Sequence, residues 1–240
     1  MGALSAAEIQ ARLLYRDGLV LILDKPAGLP VHRPRSTGSG RGGVSLEDSF
    51  EHLRFGLPRP PALAHRLDAA TSGCLALGRH RKALAALSAL FSDNEVEKTY
   101  WALVSGRPPA EAGRVDLALA RRGHPPRMVP DPAGLPSLTE WRLLAELDAA
   151  SWLEVRPRTG RMHQIRAHLA AIGHPILGDR LYDADPGASA GPLQLHARRL
   201  VIPLRRSKPP VEAEAAPPPH MAARLPADWL EGTPEPSSSV

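Results

Sequence analysis

The order of the apolar runs constrains this chain more than any other feature of its sequence. Strand-like segments follow one another with helices interspersed irregularly, and no regular β–α–β rhythm is set up. That pattern argues for an α+β fold with a mixed, mainly antiparallel central sheet flanked by helices and loops. Twenty-six prolines and twenty glycines punctuate the runs.

Val20–Leu23 reads as a buried strand after a turn at Asp17-Gly18, and Cys74–Leu77 as a second strand. His80–Phe91 carries apolar residues at 84, 87 and 91 among alanines, the pattern of an amphipathic helix. In the strand expected over Val96–Val104, period-two alternation puts Lys98, Tyr100 and Ala102 on one face and Thr99, Trp101 and Leu103 on the other. Leu138–Leu147 and Trp152–Arg156 suit a hairpin. A helix is expected from Arg161 to Ile172, capped by Thr159 and stopped by Gly173. Leu46–Leu57 reads as a short helix, Val115–Leu119 as one strand within a Pro-, Gly- and Arg-rich stretch (105–136), and Leu193–Ile202 as a last strand or two. The stretch 33–45 reads as a mobile loop, 1–13 as an N-terminal extension, 14–230 as one domain and 231–240 as a disordered tail.

The chain of 240 residues carries a net charge of +5 and a pI near 9.9. A basic surface suits RNA, because Lys and Arg displace counterions from phosphates. The single cysteine, Cys74, excludes an internal disulfide and a multi-cysteine zinc site, and fits a cytoplasmic protein. No apolar run approaches membrane-spanning length, and a soluble monomer is expected.

Two constellations can carry chemistry. His65-Arg66-Leu67-Asp68, continuing to Gly73, packs a base, a cation, a carboxylate and hydroxyls into a turn before a strand. Taken alone, local features favour a turn stabilised by its own Asp and Thr side chains. Thr159–His168 would place His163 and Arg166 one helical turn apart, where a solvated basic face is the alternative. His163 and His168 lack the spacing of a zinc-protease helix. Gly38–Gly43 lacks the ending of a phosphate-binding loop.

Set in order, these segments resemble the RluA-type pseudouridine synthases. Lys25–His32 is similar to that family's first motif, His65–Gly73 to its signature, Lys98-Thr99-Tyr100 to its Lys-x-Tyr segment, and Thr159–His168, continuing to Tyr182, to its longest motif. The resemblance implies isomerisation of uridine to pseudouridine in ribosomal or transfer RNA stem-loops, with no cofactor and no metal. It implies Asp68 as the catalytic carboxylate, Arg166 as its partner and Tyr100 stacked on the uracil. A carboxyl of reference pKa about 3.9 is anionic at neutral pH and available as nucleophile or base. A phenol near 10 is a poor base there. Arg66 would fill the stack left by a flipped base. Lys98, Arg161 and His163 would contact the RNA. His65 would shape the turn, and Leu67 would belong to the core. Only about a dozen residues precede the first strand, so the likeness is to short members without the small N-terminal RNA-binding (S4) domain. A relative that has lost catalysis and only binds RNA, and a nucleoside glycosidase, are the competing readings.

Overall fold

The computed structural model describes residues 2–33, 43–183, 191–205, 207–226 and 229. Most of the 33–45 loop and all of the 231–240 tail fall outside the described residues. The strands are β1 (Leu13–Arg16), β2 (Val20–Lys25), β3 (Ala62–Leu63), β4 (Ser72–Gly78), β5 (Glu97–Ser105), β6 (Ala112–Asp116), β7 (Leu119–Arg122), β8 (Arg127–Pro130), β9 (Leu138–Leu147), β10 (Ala150–Pro157), β11 (Leu195–Ile202) and β12 (Val211–Glu214). The α-helices are α1 (Ala6–Gln10), α2 (Arg81–Ser92), α3 (Gln164–Ala171) and α4 (Pro219–Ala222), and a 3-10 helix spans Leu46–Leu53.

Ten strands form one sheet in the order β1-β2-β4-β11-β5-β10-β9-β6, with β3 paired to β4 and β12 to β11. β7 and β8 make a separate hairpin. Among the described residues every strand pairing is antiparallel except β4 with β11, so the expected mixed, mainly antiparallel sheet is what forms. In the parallel pair Ala197 lies opposite Gly73, and on its other side Ala197 lies opposite Tyr100. Gly73 has φ +104°, and a Cβ on it would sit 2.2 Å from the Ala197 carbonyl oxygen. Only glycine lets the two strands approach this closely.

The period of two along β5 sorts its side chains as the alternation requires. Ala102 and Val104 join a core with Ile165 and Leu169 of α3. Trp101 and Leu103 join Trp152, Met221 and Trp229 on the opposite face. Trp229 thus docks the chain's C-terminal region against the sheet, with ring centroids 5.5 Å from Trp101 and 6.3 Å from Trp152. Leu21, Leu23, Leu75 and Leu77 form a further core with Ile9 of α1 and with Phe50 and Leu53 of the 3-10 helix. Tyr100 packs against both this core and that of α3, at their junction.

Several expectations are corrected. The 1–13 stretch is more than an extension: Ser5 and Glu8 form a capping box for α1, and Ile9 is fully buried. Val115–Leu119 is not one strand. β6 ends at Asp116 and β7 starts at Leu119, because the intervening pair turns the chain off the sheet into the β7–β8 hairpin. The 161–172 helix starts only at Gln164. His163 has φ +50°, a left-handed conformation that a helix cannot propagate. Thr159 does not cap it; its hydroxyl donates to Gln164 Oε1 at 2.7 Å. Nor is the polar side of α3 solvated, since Gln164 to Leu169 are all buried. β12 lies beyond Lys208, in a stretch whose Pro- and Ala-rich composition gave no strand signal.

Two histidines are built in as neutral side chains. His196, fully buried, donates from Nε2 to the Ala215 carbonyl at 3.0 Å, which leaves Nδ1 to accept from the Ser72 hydroxyl at 2.8 Å. His65 Nε2 accepts the Ala76 N–H at 2.9 Å, and its ring stacks on Phe91. Burial pushes the His196 pKa down to about 4. Burial, and then Lys98, pushes that of His65 down to about 3. Between these values and the ordinary 6.5 the unfolded chain binds protons that the folded chain does not, so stability falls as pH drops through this window.

Replacing Gly73 with Ala should destabilise the protein by on the order of 3 kcal/mol, whereas Gly18→Ala, whose Cβ meets nothing within 4 Å, should change it by no more than about 0.5 kcal/mol. Urea unfolding midpoints compare the two. Near pH 5 the two histidines should add about two protons to the uptake on unfolding, and His65→Asn should remove about one of them. The slope of unfolding free energy against pH, in wild type and variant, measures the difference.

Candidate active site

Asp68 stands in the loop that enters β4. The sequence folds this loop tightly: the Thr71 N–H returns to the Asp68 carbonyl at 3.1 Å. The next carbonyl, of Ala69, accepts the Gly28 N–H at 2.8 Å and the Lys25 ammonium at 3.0 Å. Lys25 is fully buried, and Nζ also donates to the carbonyls of Pro26 and Leu29, at 2.7 and 2.8 Å. Three acceptors satisfy its three donors, and so the loop after β2 is tied to the loop before β4. Burial pulls the Lys25 pKa down to about 7, against the opposing pull of Asp68 and then Asp24.

Arg166 of α3 brings charge to Asp68, and Asp179, in the turn after α3, holds that charge in place. The Arg166 Nη1 donates to Asp68 Oδ2 at 3.2 Å. The rest of that guanidinium is engaged by Asp179: Nε donates to Oδ2 and Nη2 to Oδ1, both at 2.7 Å. Burial works against the Arg166 cation, but Asp179 and then Asp68 outweigh it, and its pKa rises above the ordinary guanidinium value. The Tyr182 ring lies 5.1 Å from the guanidinium carbon. His163 Nε2 is 3.7 Å from Asp68 Oδ2. Burial, acting more strongly than the Asp68 carboxylate, lowers the His163 pKa, so this contact is not an ion pair at neutral pH. The Tyr182 hydroxyl accepts the Met128 N–H at 2.7 Å and lies 3.2 Å from His163 Nδ1.

Asp68, His163 and Arg166 line a cleft of about 680 Å³ that also holds Arg66, Lys98, Tyr100 and Arg161, a size suited to a small-molecule-sized moiety such as a nucleotide base. Each predicted site residue therefore belongs to one cleft. Arg66 is exposed and makes no side-chain hydrogen bond or ion pair among the described residues. Lys98 is half-buried, which lowers its pKa. Arg161 holds the Pro136 carbonyl through Nε at 3.3 Å. His163, expected as an RNA contact, stands beside the carboxylate itself. Burial, and then Asp68, raises the Tyr100 pKa, so the phenol is neutral at any pH near 7. Leu67 is core, at 5% exposure.

Sequence reasoning gave no role to Lys25, Asp179 or Tyr182, although all three fall within the matched segments. A lysine closing an apolar strand was the available signal for Lys25. For Asp179 and Tyr182 there was none beyond their place in the longest motif, since their partners come from other elements. Among the described residues no three His, Cys, Asp or Glu side chains group as a metal site. Within the same residues no helix is long and apolar enough to cross a membrane.

Comparison with known proteins gives this arrangement its family. Residues 19–171 match the family model described as RNA pseudouridylate synthase. An uncharacterized RNA pseudouridine synthase of Zymomonas mobilis is 41% identical over 208 residues, covering 85% of this chain and 92% of that protein. Ribosomal large subunit pseudouridine synthase C of Vibrio cholerae is 38% identical over 188 residues, covering 74% of this chain and 56% of that protein. Another relative, an uncharacterized RNA pseudouridine synthase of Synechocystis, is likewise longer: the chain spans 62% of it. The structure of human RNA pseudouridylate synthase domain containing 4 superposes with a TM-score of 0.76 at 26% identity, covering 90% of this chain and 92% of that one. With sequence, sheet and cleft in agreement, this chain belongs to the RNA pseudouridylate synthase family.

Proposed function

We propose that this chain isomerises uridine to pseudouridine in RNA, with Asp68 as the catalytic carboxylate. The observation that carries the reading is the meeting of Asp68, Tyr100 and Arg166, from three distant segments, at the wall of one cleft. The reaction breaks the N1–C1′ bond, turns the uracil and joins C5 to C1′. The C5 hydrogen leaves as a proton and N1 gains one, so nothing is oxidised or reduced and no group donor is needed. The chemistry thus calls for no cofactor or metal.

Asp68 suits the central role because only Oδ2 is engaged; Oδ1 accepts no hydrogen bond among the described residues. A carboxylate oxygen free of protein partners is available for attack or proton abstraction. Arg166 orients the carboxylate through a charge-assisted bond. Tyr100 offers a ring face for the uracil, and its neutral phenol makes it a platform more than a ready base. A uridine in a stem must leave its stack to enter the cleft. The unpaired Arg66 guanidinium is suited to fill the gap, with Lys98 and Arg161 toward the phosphates. Curated relatives include ribosomal large-subunit enzymes, so large-subunit rRNA stem-loops are the first substrates to test, followed by tRNA stem-loops. The protein acts on them in the cytoplasm as a monomer.

Tritium release from RNA labelled at uridine C5 should be catalysed by the wild type and abolished in Asp68→Asn, with RNA binding by filter retention changed less than about threefold, the pattern of a group acting in the transition state. An active Asp68→Asn would refute the assignment. Arg66→Ala should lower the rate on a stem-loop by on the order of tenfold and leave an unstructured substrate nearly unaffected, since unstacking costs least in single strands. Equal losses on both substrates would refute the insertion role.

A further inference from the structure

We propose that Asp179 is a positioning residue of this site, clamping Arg166 so that one N–H of the cation reaches Asp68 and Asp68 Oδ1 stays free. The inference rests on the reading of Asp68 as the catalytic carboxylate.

The geometry of the two carboxylates differs in a way that decides their roles. The Asp179 side chain is fully buried, and that of Asp68 is 19% exposed. Asp179 takes the paired bonds along the Nε–Nη2 edge of the guanidinium, both at 2.7 Å, while Asp68 takes one bond at 3.2 Å from Nη1. Two parallel charge-assisted bonds fix the plane of a guanidinium, and with it the direction of the remaining N–H groups. An Arg166 free of Asp179 would be drawn to grip Asp68 by the same edge, engaging both of its oxygens and neutralising the group that has to react.

Asp179 is itself held firmly. Its Oδ1 also accepts the backbone N–H groups of Leu181 and Tyr182, at 3.1 and 3.3 Å. The preceding residue, Gly178, has φ +78°, and a Cβ there would lie 2.2 Å from the Pro192 carbonyl oxygen. The Tyr182 ring, three residues on, lies against the Arg166 guanidinium. This turn therefore closes on Arg166 from two directions, and nothing in it needs to touch the substrate.

Asp179→Asn keeps the shape of the side chain and removes its charge. It should lower kcat for tritium release by on the order of 100-fold per folded molecule, with KM for the RNA within about threefold of wild type. In an Arg166→Met background the same substitution should bring no further loss in kcat, because Asp179 acts only through Arg166. A purely structural role would instead lower the melting temperature and the folded fraction and leave kcat per folded molecule intact. That result, or losses that multiply in the double variant, would overturn the proposal. One measurement needs no variant: in the wild type the two Arg166 Nη groups should give separate NMR signals, since the fork to Asp179 slows rotation about Nε–Cζ, and a single averaged signal for both would overturn the clamp. A wild type silent in tritium release would sink the isomerase reading, and this inference with it. An active wild type with an unimpaired Asp179→Asn would sink this inference alone.

Discussion

The parallel contact between β4 and β11 is the constraint on which the rest of the molecule depends. It joins the strands that precede α2 to those that follow it. Because Ala197 faces Gly73 on one side and Tyr100 on the other, one residue of β11 fixes the distance between the loop entering β4 and the middle of β5. Asp68 rides on that loop and Tyr100 on that strand. The spacing of carboxylate and ring is thus a property of sheet register, and a bulkier residue at Gly73 would alter it before altering any side chain of the cleft. Strand-borne positions are held more accurately than loop-borne ones. Here the loop-borne residue is brought to a similar standard by the Ala69 carbonyl, which two donors grip from the neighbouring loop.

Buried charge does the remaining positioning. Lys25, whose pKa burial pulls down to about 7, and the Arg166 cation are both withdrawn from water, a situation tolerated only when each donor finds an acceptor. Lys25 meets three carbonyls and ties two loops. Arg166 meets two carboxylates and ties α3 to Asp68 on one side and to the turn after α3 on the other. The Asp68 side of the cleft therefore rests on polar contacts that leave no slack, while the two apolar cores meeting at Tyr100 hold the ring side.

Much of this was legible in the sequence. The alternation along β5 sorted Tyr100 from Trp101, and the order of four motifs brought Asp68, Tyr100 and Arg166 together as one site. What escaped did so for physical reasons. Thr159 through His163 looks like a capped helix start, but the left-handed His163 and the capture of Thr159 by Gln164 delay the helix to residue 164. α3 shows its apolar face in Ile165 and Leu169, but its wedging between the sheet and the β7–β8 hairpin also buries Gln164, Arg166 and His168, which the periodicity assigns to a solvated side. β7, β8 and β12 are four residues each, too short for a period to register among prolines and glycines. Asp179 bonds a helix residue thirteen positions earlier, and no local spacing rule connects a turn aspartate to such a partner.

The clustering of Trp101, Trp152 and Trp229 on the face of the sheet turned away from Tyr100 gives the protein an optical asymmetry. Three of its four tryptophans share one apolar nest that includes Trp229, close to the end of the chain. Intrinsic fluorescence will therefore be dominated by the docking of the C-terminal region. Trp141 alone packs in the α3 core that Tyr100 adjoins, so the emission spectrum reports chiefly the integrity of the back of the sheet and the occupancy of the front has to be followed by other means.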